Sequence, residues 1–269
     1  MPYVPSPLKP DSLSGLSALV CGASSGIGHA TAIALVEAGA SLTLVSRNEA
    51  KLKAMARQFA DLGAEGVHVL ALDLENGDAL EAEVQAHIEQ HGPFQILINN
   101  SGGPPSGSLL DAGDADFFKP LTRHLFASHR LVKACLQGMV DSDYGRIVNI
   151  ISTSVKEPIP NLGVSNTIRG AMASWAKTLS RELPACVSIN NILPGFTDTG
   201  RLTSLANQIS QKLEITTDEV RDGWLSDVPA GRLIDPSETA AAIAFLCSPA
   251  GGAIRGVSLA VDGGRLRSI

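Results

Sequence analysis

Seven short runs, apolar almost throughout, alternate with longer Ala/Leu/charged segments of helical period, and this alternation leaves the chain few architectures. The runs lie at residues 17–21, 41–46, 67–72, 96–99, 146–151, 188–193 and 256–261. Near-continuous apolar character over four to six residues is what a strand buried on both faces requires. Between them, residues 27–38, 49–62, 79–90, 114–139, 162–183 and 237–246 read as helices. Strand and helix in turn make βα units, whose helices cover both faces of a parallel sheet. The expectation is one α/β domain over residues 1–269, a doubly wound seven-stranded parallel sheet, with 1–12 as an N-terminal tail. Residues 199–231 break the alternation with polar helical sequence and are expected to form a flap over a site.

Composition narrows the function classes. With 44% hydrophobic residues and 26 glycines among 269 residues, the chain is neither disordered nor collagen-like. Its 21 basic and 27 acidic residues leave a net charge of −6, which disfavours nucleic acid and anionic membranes as partners. The longest apolar stretch, near residues 240–247, falls far short of the roughly 18 residues of a membrane span. Pro5, Pro7 and Pro10 interrupt the start of the chain, so no secretory leader is expected there. Cys21, Cys135, Cys186 and Cys247 are far apart and read as reduced thiols, so a cytoplasmic protein is expected. Only two tyrosines occur, Tyr3 and Tyr144.

After the first run comes Gly22-Ala23-Ser24-Ser25-Gly26-Ile27-Gly28, with a helix following at once. Glycines there permit a tight turn, and a helix N-terminus offers unpaired N–H groups and partial positive charge to a pyrophosphate. Such a turn also serves merely to pack strand on helix; its place between strand and helix favours the phosphate cradle. Further marks follow in order: Asp73-Leu74 after the third run, Asn99-Asn100-Ser101-Gly102 at the fourth, Pro194-Gly195 after the sixth, and Val261-Asp262-Gly263-Gly264 near the C-terminus.

Together these five motifs, spread over almost the whole chain, resemble the short-chain dehydrogenase/reductase family. The likeness is greatest to 3-oxoacyl-ACP reductases, and within them to an atypical branch with Ser101-Gly102-Gly103-Pro104-Pro105 after the fourth strand. The resemblance implies a Rossmann-type sheet in the order 3-2-1-4-5-6-7 and a dinucleotide held by the turn from Gly22 through Ser24, Ser25, Gly26 and Ile27 to Gly28. By the same resemblance Asp73 and Leu74 flank the adenine, Asn100 the nicotinamide-side ribose, and Pro194, Gly195, Thr197 and Thr199 the carboxamide, with Gly102 also among the cofactor-binding residues. All stand at strand C-terminal ends, where ligands bind in open α/β sheets.

Cofactor choice turns on Ser46-Arg47-Asn48 after the second run. An acidic side chain there would grip the ribose hydroxyls of NAD, whereas Arg47 offers a planar cation to a 2′-phosphate. NADP is the preferred reading. NAD remains open, because Ser25 stands where NADP-preferring relatives often carry a second basic residue, and because Arg47 could instead cap the next helix.

The family's catalytic spacing is Ser-x12-Tyr-x3-Lys, with an Asn on the preceding helix; the Tyr hydroxyl is the acid and the Lys lowers its pKa. Ser152 matches, but the count reaches Ser165 at the tyrosine position, Arg169 at the lysine position and His124 at the asparagine position. A serine hydroxyl is a far weaker acid than tyrosine, whose pKa is about 10, so Ser165 reads as a hydrogen-bond donor. Arg169 stays charged and suits an anchor for ribose hydroxyls or a substrate carboxylate or phosphate. His124, with an ordinary pKa of about 6.5, is the candidate proton source, unless it replaces a structural Asn.

The implied activity is that of an NAD(P)-dependent oxidoreductase of small carbonyl or alcohol substrates with altered catalytic residues. The alternative is a dinucleotide-binding regulatory or scaffolding protein without turnover. The resemblance also implies a homodimer or homotetramer packed through the helices at 114–139 and 162–183, where Gly170, Ala171, Ala173 and Ala176 would permit close approach. His87 and His91, four apart on a helix that looks solvated, lack an evident third ligand, so no metal is expected. Arg255, Arg265 and Arg267 read as solvated or at a subunit contact.

Overall fold

The computed structural model describes residues 8–61 and 64–268. Residues 1–7 of the expected tail, including Tyr3, and Leu62 at the end of the second expected helix lie outside the described residues. Residues 9–16 form turns against the sheet, with buried Leu13 donating its N–H to the Ala38 carbonyl at 2.7 Å.

Strands β1 (Ser17–Cys21), β2 (Ser41–Ser46), β3 (Val67–Ala71), β4 (Ile96–Asn99), β5 (Gly145–Ile150), β6 (Val187–Pro194) and β7 (Ser258–Val261) form one parallel sheet in the order 3-2-1-4-5-6-7. The helices are α1 (Gly26–Glu37), α2 (Glu49–Asp61), α3 (Gly77–His91), α4 (Asp114–Leu121), α5 (Ala127–Asp141), α6 (Gly163–Leu179), α7 (Gly200–Leu213), α8 (Thr217–Leu225) and α9 (Pro236–Cys247). Successive strand residues face opposite ways. Ala18 and Val20 of β1 therefore join Leu35, Leu52 and Ile243 of α1, α2 and α9, while Leu19 and Cys21 join Val84, Leu131 and Ala176 of α3, α5 and α6. Among the described residues no helix is long and apolar enough to cross a membrane.

Several expected elements differ in detail. The helix expected over 114–139 is interrupted by a π turn at Thr122–Phe126 between α4 and α5. Pro120, inside α4, lacks an N–H for the helical ladder, and the wider turn follows directly. Strand β7 starts at Ser258 rather than 256, because Gly256 takes a left-handed φ of 64°. Ala176 is fully buried against the sheet, so it is removed from the outward-facing set expected to meet a second copy.

The centre of the sheet is polar in one row. Asn99 Nδ2 donates to Asn149 Oδ1 at 2.8 Å, Asn149 Nδ2 to Asn191 Oδ1 at 2.9 Å, and Asn191 Nδ2 to Ser258 Oγ at 3.1 Å. These residues are in register across β4, β5, β6 and β7, so parallel pairing places each amide beside the next. Tyr144, before β5, is structural: its hydroxyl donates to the Cys247 carbonyl at 2.7 Å and its ring lies 4.0 Å beneath the Arg146 guanidinium.

Candidate functional site

The C-terminal ends of the strands open onto one cleft of about 1270 Å³. It is lined by every residue expected to hold the dinucleotide except Gly28, and by Ser152, Ser165 and Arg169. His124 is not among its walls.

At one end of the cleft, Gly22 and Gly26 adopt φ values of 61° and 56°, a conformation that disfavours side chains. A Cβ on Gly22 would stand 2.6 Å from Asn100 Nδ2, and one on Gly28 would lie 2.3 Å from the Gly22 carbonyl oxygen. Gly28 thus works from behind, letting α1 press against the turn, while Asn100 fills the space by donating to the Gly22 carbonyl at 3.4 Å. The N-cap of α1, Ser25, makes no side-chain capping bond, and the first turn of α1 holds no acidic residue. This helix end keeps its N–H groups and partial positive charge directed at the cleft.

Beyond the turn, Arg47 is exposed on the cleft wall. The capping role belongs to its neighbour: Asn48 Oδ1 accepts from Lys51 N at 2.9 Å, which leaves the Arg47 guanidinium unengaged by the helix end. Asp73 Oδ1 accepts from Glu75 N at 3.0 Å and braces the turn after β3. On the opposite wall, Gly195 is required because a Cβ there would fall 2.7 Å from the Asp262 backbone. Thr199 caps α7, accepting from Leu202 N at 3.4 Å.

At the other end, β5 leads into Ser152, whose Oγ accepts from Ser154 N at 3.0 Å and retains its hydroxyl hydrogen for the cleft. Ser165 and Arg169 lie on one face of α6 and line the same cleft. Arg169 is only 7% exposed, and its Nη1 donates to the Ile150 carbonyl at 3.0 Å. Burial, with the nearby Arg201 cation, brings its pKa down to about 10, so it remains charged at neutral pH.

His124, carried by the π turn, sits beneath this end. Its Nδ1 and Ser101 Oγ are 2.7 Å apart, and its Nε2 is buried without a hydrogen-bond partner among the described residues. It faces a void of about 10 Å³ that Arg169 also lines, room for about one water. Burial, then the Arg169 and Arg123 cations, hold its pKa well below the ordinary 6.5. The expectation that His124 titrates near neutrality therefore fails, since the imidazole stays neutral at pH 7.

A glycine turn under an uncapped helix, on a 3-2-1-4-5-6-7 sheet, agrees with what the chain matches. The enoyl-(acyl carrier protein) reductase family model covers residues 22–265. The chain belongs to the short-chain dehydrogenase/reductase family. It is 34% identical to the 3-oxoacyl-[acyl-carrier-protein] reductase of Vibrio cholerae over 94% of this chain and 98% of that protein. It is 31% identical to a putative ketoacyl reductase of Streptomyces coelicolor over 92% and 95% of the two chains. The L-sorbose reductase of Gluconobacter frateurii, solved with NADPH and L-sorbose, superposes with a TM-score of 0.89 at 26% identity, covering 96% of this chain and 98% of that one.

Against that family background, three cleft residues escaped the sequence reading. Arg201, at the start of α7, donates through Nη2 to the Pro104 carbonyl at 2.8 Å. Arg265, read as solvated or at a subunit contact, lines the cleft instead: Nη1 donates to Thr153 Oγ1 at 3.2 Å and the guanidinium lies 4.9 Å over Phe196. Asp262 turns it inward by accepting from Gly264 N at 3.0 Å and Leu266 N at 2.8 Å. Trp224 of α8 stacks on Phe196 with ring centroids 5.1 Å apart and completes that wall. No short motif marks these side chains, because distant segments bring them together.

Away from the cleft, His87 is buried rather than solvated, its Nε2 2.8 Å from Thr43 Oγ1. His91 packs 4.4 Å from His87, and His68 of β3 packs 4.0 Å from His91, between ring centroids. Among the described residues no three metal-ligating side chains are grouped to hold an ion.

Proposed function

We propose that this chain is an NADP(H)-preferring oxidoreductase of small carbonyl or alcohol substrates, related to 3-oxoacyl-ACP reductases but without the Tyr and Lys of the family's spacing. The observation that carries the reading is the uncapped α1 N-terminus beneath a turn with no space for side chains at Gly22 or Gly28, opening onto the same cleft as Ser152, Ser165 and Arg169. These residues fit a dinucleotide. Gly22, Ser24, Ser25, Gly26 and Ile27 would hold its pyrophosphate, with Gly28 supporting the turn from behind, and Arg47 would hold a 2′-phosphate. Asp73 and Leu74 would border the adenine, Asn100 and Gly102 the second ribose, and Pro194, Gly195, Thr197 and Thr199 the carboxamide. The NADPH-bound sorbose reductase supports the choice of NADP over NAD.

When bound, NADPH supplies hydride to the carbonyl carbon. The Ser152 and Ser165 hydroxyls donate hydrogen bonds to the carbonyl oxygen and fix its position. As negative charge develops on that oxygen, the buried Arg169 cation stabilises it where water is scarce. The proton reaches the oxygen from solvent across the Ser165 hydroxyl, which gives one hydrogen as it accepts another. Residues 199–231, with α7 and α8, act as the flap within a single dinucleotide-binding domain. The protein works as a homodimer or homotetramer, a reading supported by Phe118 and Phe126, 66% and 47% exposed on and beside α4.

NADPH binding, followed by fluorescence, and then stopped-flow NADPH oxidation with ketones and 3-oxoacyl thioesters test the proposal. The expected result is tight binding and consumption of NADPH with at least one carbonyl. A second reading has its own support: Arg169 is engaged with the Ile150 carbonyl, and among the described residues no tyrosine lines the cleft. Tight binding with no oxidation across the panel would favour that reading, a cofactor-binding regulatory or scaffolding protein.

A further inference from the structure

The chain carries a net charge of −6, yet its cleft is basic. Six cations line it, Arg47, Arg123, Arg169, Arg201, Lys212 and Arg265, against two acids, Asp73 and Asp227. Arg123 is already paired with Glu75, and Asp227 with Arg267. Arg47 belongs to the end expected to meet a 2′-phosphate. The excess at the opposite end is left without a carboxylate: among the described residues Arg169, Arg201 and Arg265 donate to neutral oxygens.

Two of these guanidiniums converge. A Cβ placed on Gly103 would lie 3.6 Å from Arg169 Nη2 and 3.9 Å from Arg201 Nη2, so both terminal nitrogens border one small space. Like charges this close repel, and the low pKa of Arg169 reflects burial and that neighbour. Burying a cation without a counter-charge is costly, and a bound anion relieves both the desolvation and the repulsion. Planar guanidiniums suit carboxylate and phosphate oxygens in particular. Arg265, over Phe196 at the Ser152–Thr153 wall, extends the positive potential across the entrance.

We infer that the space beside Gly103 is an anion subsite, in which Arg201 and Arg169 take a carboxylate or phosphate carried by the substrate, with Arg265 steering it in. The inference rests on the oxidoreductase reading and names the substrate class: oxo acids, hydroxy acids or phosphorylated ketones rather than neutral ones. The pyrophosphate of the cofactor is the other source of the same chemistry, and the test separates the two.

The probes are 4-oxopentanoate and its methyl ester, titrated onto protein saturated with NADP⁺. Fluorescence of Trp224, on the wall that Arg265 covers, reports occupancy without turnover. The expected result is that the carboxylate binds at least about tenfold more tightly than the ester, as charge-assisted hydrogen bonds to guanidinium imply. Arg201→Gln abolishes that ratio, Arg201→Lys keeps most of it, Arg265→Gln lowers it about threefold, and NADPH affinity is unchanged in all three. Equal binding of acid and ester by the native protein overturns the inference. So does an Arg201→Gln protein that keeps the ratio but loses NADPH affinity, which assigns Arg201 to the cofactor. NADPH oxidation followed in the same samples separates the two levels: a ratio that stands while no carbonyl is reduced supports the subsite and removes the oxidoreductase reading.

Discussion

At the α1 end of the cleft, the residue types stand as a dinucleotide needs them: two left-handed glycines, a helix end without a side-chain cap, and Arg47 freed by Asn48. At the α6 end, the same sheet presents a serine and a buried arginine four residues apart, a buried neutral histidine beneath, and Arg201 and Arg265 across the gap. The first end is dictated by backbone space, where a misplaced Cβ collides within 3 Å. The second depends on side-chain chemistry, which a fold leaves free to change. Binding and turnover are therefore separable properties of this molecule.

The largest expected effect falls on the backbone-limited end. Gly28→Ala should destabilise the protein by about 1–3 kcal/mol, the usual cost of forcing atoms into a packed region, and weaken NADPH more than about 100-fold. Thermal melts and fluorescence titration measure both. If Gly28→Ala binds NADPH normally, the turn does not limit the cofactor and the contrast between the ends collapses.

Restoring the family pattern at the other end should have a nearly equal effect in the opposite direction. Ser165→Tyr, Arg169→Lys and His124→Asn together should raise ketone reduction by about 10²-fold, the scale of a positioned general acid. Failure to gain activity, with NADPH binding intact, would mean that the pocket is shaped for other chemistry.

Arg47→Ala sharpens the comparison inside the first end. It should reduce the preference for NADPH over NADH by about tenfold or more, read from the ratio of the two kcat/KM values or the two Kd values. An unchanged ratio would remove Arg47 from the cofactor site.

Acid should produce the smallest effect. His87, under the β3 edge, has its pKa lowered from 6.5 to about 4 by burial and by the charges of His91 and His68. A base whose pKa falls on folding binds more protons when unfolded, so its contribution is complete above pH 6.5 and is lost as pH falls through about 4. Solvent screening of the half-open cluster leaves this on the order of 1–2 kcal/mol, visible as a falling Tm between pH 6.5 and 4 that His87→Gln blunts. His124 shifts in the same sense, lowered by burial and by the Arg169 and Arg123 cations, so His124→Ala should leave the pH profile of turnover flat from 6 to 8.

What was legible in the sequence follows the same division. The alternation of apolar runs and helical segments located all seven strands, because burial on both faces leaves little freedom in residue type, while their order came only through the family resemblance. The glycine turn was legible for steric reasons. The Asn99–Asn149–Asn191 row was not, because the partner of each amide lies 50 or 42 residues away in the sequence. Arg265 was misread because an arginine near a chain end is usually solvated; only the turn set by Asp262 brings it to Thr153. His124 was singled out by its position in the family spacing, but its pKa depends on burial and on Arg169, which spacing does not show.

With Ser165 and Arg169 in place, the α6 end should still complete a reduction. Single-turnover stopped-flow oxidation of enzyme-bound NADPH by a carbonyl substrate, from pH 6 to 8, tests it most directly. Bound NADPH should be consumed at a rate showing no ionisation over that range. NADPH that stays tightly bound and fully reduced at every pH, with every carbonyl offered, would contradict it.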